Sequence, residues 1–101
     1  MSSKYFKLDQ NKNVVPTNDI AECFGPGIDR RVDRTKIGDV SVSTVFLGID
    51  HGWGVSGPPL IFETMVFGGP LDQEQERYYT WTEAVAGHKA MVKRVRKEAK
   101  K

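Results

Sequence analysis

A two-residue turn signal in the middle of the chain limits the possible folds more than any other feature. Gly38-Asp39 separates residues 30–37 from residues 40–47, and both segments have the β-branched content of strands. A Gly-Asp loop of this length is typical of a type II′ hairpin, in which glycine takes the positive-φ position. The turn therefore predicts an antiparallel hairpin and fixes the register of its two strands.

The register of this hairpin determines which side chains share a face of the sheet. It places Thr35 opposite Val42 and Asp33 opposite Thr44, and alternation then defines one face that points to the core. That face carries Ile37, Thr35, Val40, Val42, Thr44 and Phe46. On the other face, Val32, Val45 and Leu47 make the end remote from the turn apolar as well. We therefore expect another element or another subunit to cover that end.

The strongest helix signal lies near the carboxyl end. Residues 80–83 read Thr-Trp-Thr-Glu, which is a capping box at a helix start. Apolar side chains then recur at steps of three and four, as expected of a helix that packs on a sheet. They are Trp81, Ala84, Val85, His88, Met91, Val92 and Val95. Gly87 lies within this stripe and is expected to allow a close approach to a strand.

Weaker signals complete the predicted fold. Residues 60–67 read as a third central strand, and residues 5–8 and 14–15 as two short strands near the amino end. Asp19 is placed to cap a short helix that Gly25-Pro26-Gly27 would end. The predicted class is α+β: an antiparallel sheet of three to five strands, with the C-terminal helix on one face and a short N-terminal helix. We expect a single domain over residues 1–101, with residues 96–101 as a basic tail that frays.

Composition indicates a compartment but no reaction. The 101 residues suit one domain, and the single cysteine, Cys23, excludes an internal disulfide. The sequence has neither a signal-peptide pattern nor an apolar run long enough to span a bilayer, so no membrane partner is predicted. These features predict a cytoplasmic protein.

The charge is distributed unevenly along the chain. Residues 89–101 hold seven bases and one acid, whereas residues 1–88 hold eight bases and twelve acids. Phosphate binding is one interpretation of the basic end. The other is a solvated helix end whose cations complement the helix dipole. The second is favoured at this point, because a nucleic-acid module usually has a basic body too.

A glycine-rich loop over residues 48–59 is the first candidate site. It carries Asp50, His51 and Trp53 between two predicted strands, and loops of this length in a small domain are often functional. Residues 52–57 match G-x-G-x-x-G, but a strand follows instead of the helix that a dinucleotide site needs. Three interpretations stay open: an anion site on backbone amides, a plain connection, and a small enzyme that uses Asp50, His51 and Glu63.

Other chemistry-bearing residues have structural explanations. His88 lies on the apolar face of the helix and is expected to bond a polar group of the sheet, such as Thr64 or Glu63. Glu63 itself is expected on the solvent face or beside a cation. His51 and His88 stand too far apart to suggest a metal, and no cofactor is predicted. The stacking aromatics, which include Trp53 and Tyr79, suit either a nucleotide clamp or a protein interface.

Three segments resemble a known group of proteins. Residues 42–48 (VSTVFLG), Phe62–Phe67 (FETMVF) and residues 80–84 (TWTEA), followed by Gly87-His88, are similar to small uncharacterised proteins of bacteriophage and prophage genomes. The resemblance covers roughly residues 31–92 and brings no catalytic residue with it. It implies a phage-encoded accessory protein in a bacterial host cell, of a kind that often blocks a defence component or sequesters a signalling nucleotide.

The leading functional hypothesis is a non-enzymatic protein that binds a host macromolecule and self-associates through the apolar end of its second sheet face. The candidate binding residues are Asp50, His51, Trp53, Glu63, Arg31, Arg34 and Tyr79. The first alternative is a nucleotide- or nucleic-acid-binding protein that uses Arg30, Arg31 and Arg34 or the basic end over residues 93–101. The second is the small enzyme described above.

Overall fold

A four-stranded antiparallel sheet with one helix packed on it forms the body of the protein. The computed structural model describes residues 5–21, 30–49 and 60–100. The elements in these ranges are β1 (Tyr5–Leu8), β2 (Val14–Thr17), β3 (Arg31–Ile37), β4 (Val40–Phe46), β5 (Phe62–Phe67), β6 (Gln75–Tyr78) and α1 (Trp81–Ala99). β1 and β2 form a separate two-stranded sheet, and the larger sheet has the order β3-β4-β5-β6. The predicted α+β class is confirmed.

The β3–β4 hairpin has the register that its turn predicts. Ile37 pairs with Val40, Thr35 with Val42 and Asp33 with Thr44. Gly38 has a φ of 60°, the positive value that the first position of a type II′ turn requires. The turn chemistry alone was sufficient to place these pairs.

A β-bulge near the start of β3 overturns one prediction about the second face. The register shifts between Arg31 and Asp33, so that Arg31 pairs with Val45. The extra residue, Val32, packs against a core cluster that includes Phe46. Val32 therefore lies on the core side rather than on the second face, because the bulge reverses the alternation at this point.

The core lies between the larger sheet and α1. One cluster joins Val42 and Val66 to the second half of the helix, and another surrounds Phe46, Ile61 and Phe62 near the helix start. The Phe46 and Phe62 rings stand 5.2 Å apart between centroids, a normal distance for an aromatic pair. β5 begins at Phe62, two residues later than predicted.

The helix begins as the capping box predicts. The Thr80 hydroxyl oxygen accepts from the Glu83 N–H at 3.1 Å, and the same hydroxyl donates to the Glu83 carboxylate. α1 continues to Ala99 and so includes residues 96–99 of the basic tail, whose fraying stays a prediction. Gly87 does provide a close approach: a methyl group there would overlap the Tyr78 ring of β6.

The N-terminal hairpin is attached to the end of β4. The Phe6 N–H donates to the Gly48 carbonyl at 2.8 Å, and Tyr5 forms an isolated bridge with Ile49. Asp19 accepts from the Ala21 N–H at 3.0 Å, but the rest of the predicted short helix lies outside the described residues. Within the described ranges, no helix has the length and apolar character needed to cross a membrane.

Candidate nucleic-acid interface

A basic groove runs between the outer strand β3 and the second half of α1. It has a volume of about 620 Å³. Asp33 and Thr35 line it from the strand, and His88 and Val92 line it from the helix. Five cations complete its wall: Lys89, Lys93, Arg96 and Lys97 of the helix, and Lys100, which follows the helix end. This arrangement gives the groove a formal charge of +4 when His88 is neutral.

The five cations form a row along one side of the helix. Lys89, Lys93 and Lys97 repeat at four-residue spacing, which places them on one helix face. Lys100 comes eleven positions after Lys89, so the row extends about 16 Å at the helical rise per residue. The positive charge of the groove is therefore distributed along the helix rather than concentrated at one position.

These cations have no partners among the described residues. Other cations of the protein do: Arg77 bonds Glu63 at 3.0 Å, and Arg94 bonds Glu74 at 3.2 Å. Within the described ranges, no ion pair or side-chain hydrogen bond involves the side chains of Lys89, Lys93, Arg96, Lys97 or Lys100. The charge of the groove is thus available to an external anion.

Beneath the groove, a buried histidine joins the helix to the sheet. His88 Nε2 lies 2.9 Å from the Thr35 hydroxyl, and Nδ1 lies 2.7 Å from the Thr44 hydroxyl. The side chain is only 2% exposed. Burial lowers the pKa of His88, and the nearby Asp33 carboxylate opposes that shift. His88 is therefore a neutral core group, and both of its ring nitrogens have hydroxyl partners.

His88 does bond polar groups of the sheet, as predicted, but these groups lie on other strands than the predicted one. Its hydroxyl partners come from β3 and β4, whereas Thr64 of β5 bonds Thr44 and reaches the histidine only through it. Glu63 lies on the other face, where Arg77 pairs with it. The reason is the helix position: α1 places His88 over β3 and β4, toward the outer edge of the sheet.

The remaining predicted site residues do not meet at one site. Arg31 and Arg34 lie on the face of β3 opposite the groove, since they pair with Val45 and Ser43 of the second face. Tyr79, 41% exposed, borders a second groove of about 500 Å³ that includes Trp81. Asp50, His51 and Trp53 lie outside the described residues, so the loop hypothesis stays a prediction.

The second groove lies between the β1–β2 hairpin and the start of α1. Phe6, Val14 and Pro16 line it from the hairpin, and Trp81 lines it from the helix. The Lys12 ammonium stands 5.0 Å from the Trp81 ring centroid, within the range of a cation–π contact. The exposed side of this tryptophan is therefore already partly occupied by the protein's own lysine.

The basic groove brings together residues of β3 and α1 whose proximity was not predicted from the sequence. The four-residue spacing of Lys89, Lys93 and Lys97 is visible in the sequence. Thr35 was predicted on the core face of the sheet, and Asp33 was predicted opposite Thr44. The missing information was the rotation of α1, which decides whether these lysines point to the β3 edge or away from it. No group of three or more potential metal ligands occurs in the part of the chain that the structure describes.

Comparisons of the chain with protein-family models, curated proteins and solved structures found no match.

Proposed function

We propose that the protein binds nucleic acid through the basic groove, without regard to sequence. The observation that carries this proposal is the row of five cations, which have no side-chain partners among the described residues and which face one described carboxylate, Asp33. Phosphate groups supply most of the affinity in sequence-independent nucleic-acid binding, and lysine and arginine are the side chains that neutralise them. The site supports binding rather than catalysis, because His88 is buried beneath it.

The length of the row favours a polynucleotide over a single nucleotide. One nucleotide places its phosphates at one point, and a compact cluster of donors is enough to hold them. A row of about 16 Å instead matches the repeated phosphates of a strand, which are spaced a few ångströms apart along a nucleic acid. Each cation in the row is then able to neutralise a different phosphate.

The helix dipole does not account for the whole row. Cations stabilise a helix end mainly within its last turn, where Arg96 and Lys97 lie. Lys89 and Lys93 precede that turn by one to two turns, so the dipole gives no reason for their side of the helix to be basic. The groove does give one, because both lysines line it.

Fluorescence anisotropy with labelled single-stranded oligonucleotides of about 12 nucleotides tests the proposal. The variant replaces Lys89, Lys93 and Lys97 with glutamine, which keeps helix propensity. For single strands, the slope of log affinity against log salt is about −0.7 per neutralised phosphate. We therefore expect the triple variant to flatten the slope by about 2 and to weaken binding at low salt.

A matched control separates the groove from net charge. Replacing Lys12, Lys36 and Arg94 with glutamine removes the same three charges, but none of these residues lines the basic groove. We expect this control to bind nearly as the wild type does. Equal loss in the two variants would show that net charge alone drives binding, and no binding by the wild type at low salt would overturn the proposal.

A further inference from the structure

A single carboxylate lies inside the phosphate-binding groove that we propose. Asp33 stands among five cations, yet it forms no ion pair with any of them within the described residues. A negative charge at this place repels phosphate and lowers the affinity for any polyanion. Its presence therefore indicates that a ligand supplies a hydrogen-bond donor to Asp33 in addition to its phosphates.

The two oxygens of the Asp33 carboxylate have different surroundings. Its Oδ1 accepts from the Arg34 N–H at 2.7 Å, and its Oδ2 lies 3.7 Å from His88 Nε2. That second distance is too long for a hydrogen bond, and the described residues supply no other donor to Oδ2. The side chain is 57% exposed. Oδ2 is thus an accessible acceptor in the groove.

The sugar–phosphate backbone of DNA has no donor for such an acceptor. Its phosphate and ring oxygens only accept hydrogen bonds, so a carboxylate beside DNA experiences repulsion without compensation. RNA differs, because each ribose carries a 2′-hydroxyl that donates as well as accepts. In a groove that binds without regard to sequence, the 2′-hydroxyl is also the donor that every position of the strand presents.

Resting on the proposed function, we infer that Asp33 accepts a hydrogen bond from a ribose 2′-hydroxyl and makes the groove selective for RNA over DNA. The cations hold the phosphates, and Oδ2 distinguishes the sugar. A hydrogen bond to a charged acceptor contributes enough to give roughly a tenfold preference.

Three oligomers with one base sequence test the inference: oligouridine, oligodeoxyuridine and 2′-O-methyl oligouridine, each of about 12 nucleotides. The base is the same in all three, so only the sugar differs. We expect the wild type to bind the ribose form about tenfold more tightly than the other two. The methylated sugar keeps an oxygen but has no proton to donate, so it should behave like the deoxy form.

The variant Asp33→Asn removes the acceptor with little change of shape. Its amide oxygen takes the Arg34 N–H, which leaves the NH₂ group where Oδ2 stood. We expect this variant to bind the deoxy oligomer more tightly than the wild type does. It should also lose the preference for the ribose form over the 2′-O-methyl form, because an NH₂ group is able to donate to the 2′ oxygen of either sugar. Asp39→Asn is the matched control, because it removes one carboxylate of the hairpin turn, outside the groove.

Other outcomes identify what is wrong. If Asp33→Asn tightens binding of all three oligomers equally, Asp33 only repels phosphate and the inference fails, while the proposed function stands. If Asp33→Asn lowers the affinity for oligodeoxycytidine but not for oligodeoxyuridine, the group that donates to Asp33 is a base amino group. Selectivity for the sugar is then overturned. If the wild type binds none of the oligomers at low salt, the proposed function itself fails.

Discussion

The Nδ1 atom of His88 lies 2.7 Å from the hydroxyl of Thr44, so a hydrogen bond inside the core joins the helix to the middle of the sheet. The polar contacts continue on both sides, to Thr35 of β3 and through Thr44 to Thr64 of β5. Each ring nitrogen of the histidine therefore has a hydroxyl partner. A buried polar row of this kind is tolerated only when its members are paired, since an unpaired buried group costs about 1–3 kcal/mol.

The first prediction concerns the pH dependence of folding. Burial lowers the pKa of His88, so the imidazolium form is disfavoured in the folded state relative to the unfolded chain. The contribution of neutral His88 is fully present above the unfolded pKa of about 6.5 and is lost as pH falls through the lower folded pKa. Urea unfolding at a series of pH values around this range should show stability decreasing toward the acid side.

Two histidine variants decide whether His88 causes this loss. His88→Gln should flatten the pH dependence above the range in which carboxylates titrate, although it lowers stability overall. His51→Gln replaces the other histidine of the chain and measures how much of the dependence comes from that residue. The assignment to His88 is wrong if the first variant keeps the full dependence.

The second prediction compares two hydroxyl groups around one histidine. Thr44→Val leaves Nδ1 of His88 buried without a partner and should lower the free energy of unfolding by about 1–3 kcal/mol. Thr35→Val should cost less, because Thr35 is only half-buried at the groove and water is able to replace its hydroxyl. Chemical denaturation of both variants measures the difference. If both variants lower the free energy of unfolding equally, Nδ1 depends on its hydroxyl partner no more than Nε2 does.

The third prediction concerns the contact between Gly87 and Tyr78. Alanine is a better helix former than glycine by about 1 kcal/mol, so helix propensity alone favours Gly87→Ala. Packing opposes it, since a methyl group at this position overlaps the Tyr78 ring and overpacking costs typically about 1–3 kcal/mol. We therefore expect a net loss of stability in urea unfolding.

Two further variants test this explanation. Ala86→Gly changes the exposed neighbouring position, so it measures the effect of helix propensity on stability without a contact to Tyr78. Combining Gly87→Ala with Tyr78→Ala removes the overlapping ring, so alanine at position 87 should then be favourable in the Tyr78→Ala background. If Gly87→Ala destabilises that background as much as the wild type, the Tyr78 contact is not the cause.

Local signals in the sequence were enough to predict much of this fold. The Gly-Asp turn fixed the β3–β4 pairs, because the loop length and the φ requirement of Gly38 admit one register. The capping box placed the helix start at Thr80, because its hydroxyl satisfies a free N–H of the first turn. In both cases the deciding interaction lies within a few residues of the signal.

The bulge and the groove depend on contacts between distant parts of the chain. One extra residue at Val32 leaves the apolar pattern of β3 nearly unchanged, so the sequence alone favoured an uninterrupted strand. The basic groove depends on the rotation of α1 about its own axis, which the packing of Val92 and Val95 on β4 and β5 determines. Spacing places the lysines on one helix face without showing which strand that face meets.

The fourth prediction links ligand binding to the protonation of His88. Asp33, 3.7 Å from Nε2, is the negative group that faces His88 from the strand, while Lys89 and Lys93 line the same groove from the helix. A bound polyanion adds negative charge near the imidazole and offsets these lysines, so it should raise the pKa of His88. By linkage, affinity should then increase as pH is lowered toward that pKa.

Nuclear magnetic resonance titration of the histidine ring protons measures this pKa directly, with oligouridine absent and present. The His51→Gln variant assigns the signals, because it leaves His88 as the single histidine of the chain. Both hydroxyl partners are able to accept from an imidazolium, so protonation does not require the His88 contacts to break. If oligouridine binds but leaves the pKa of His88 unchanged, the bound strand does not lie in the groove. A lowered pKa would mean instead that the ligand buries the ring further without bringing its phosphates close.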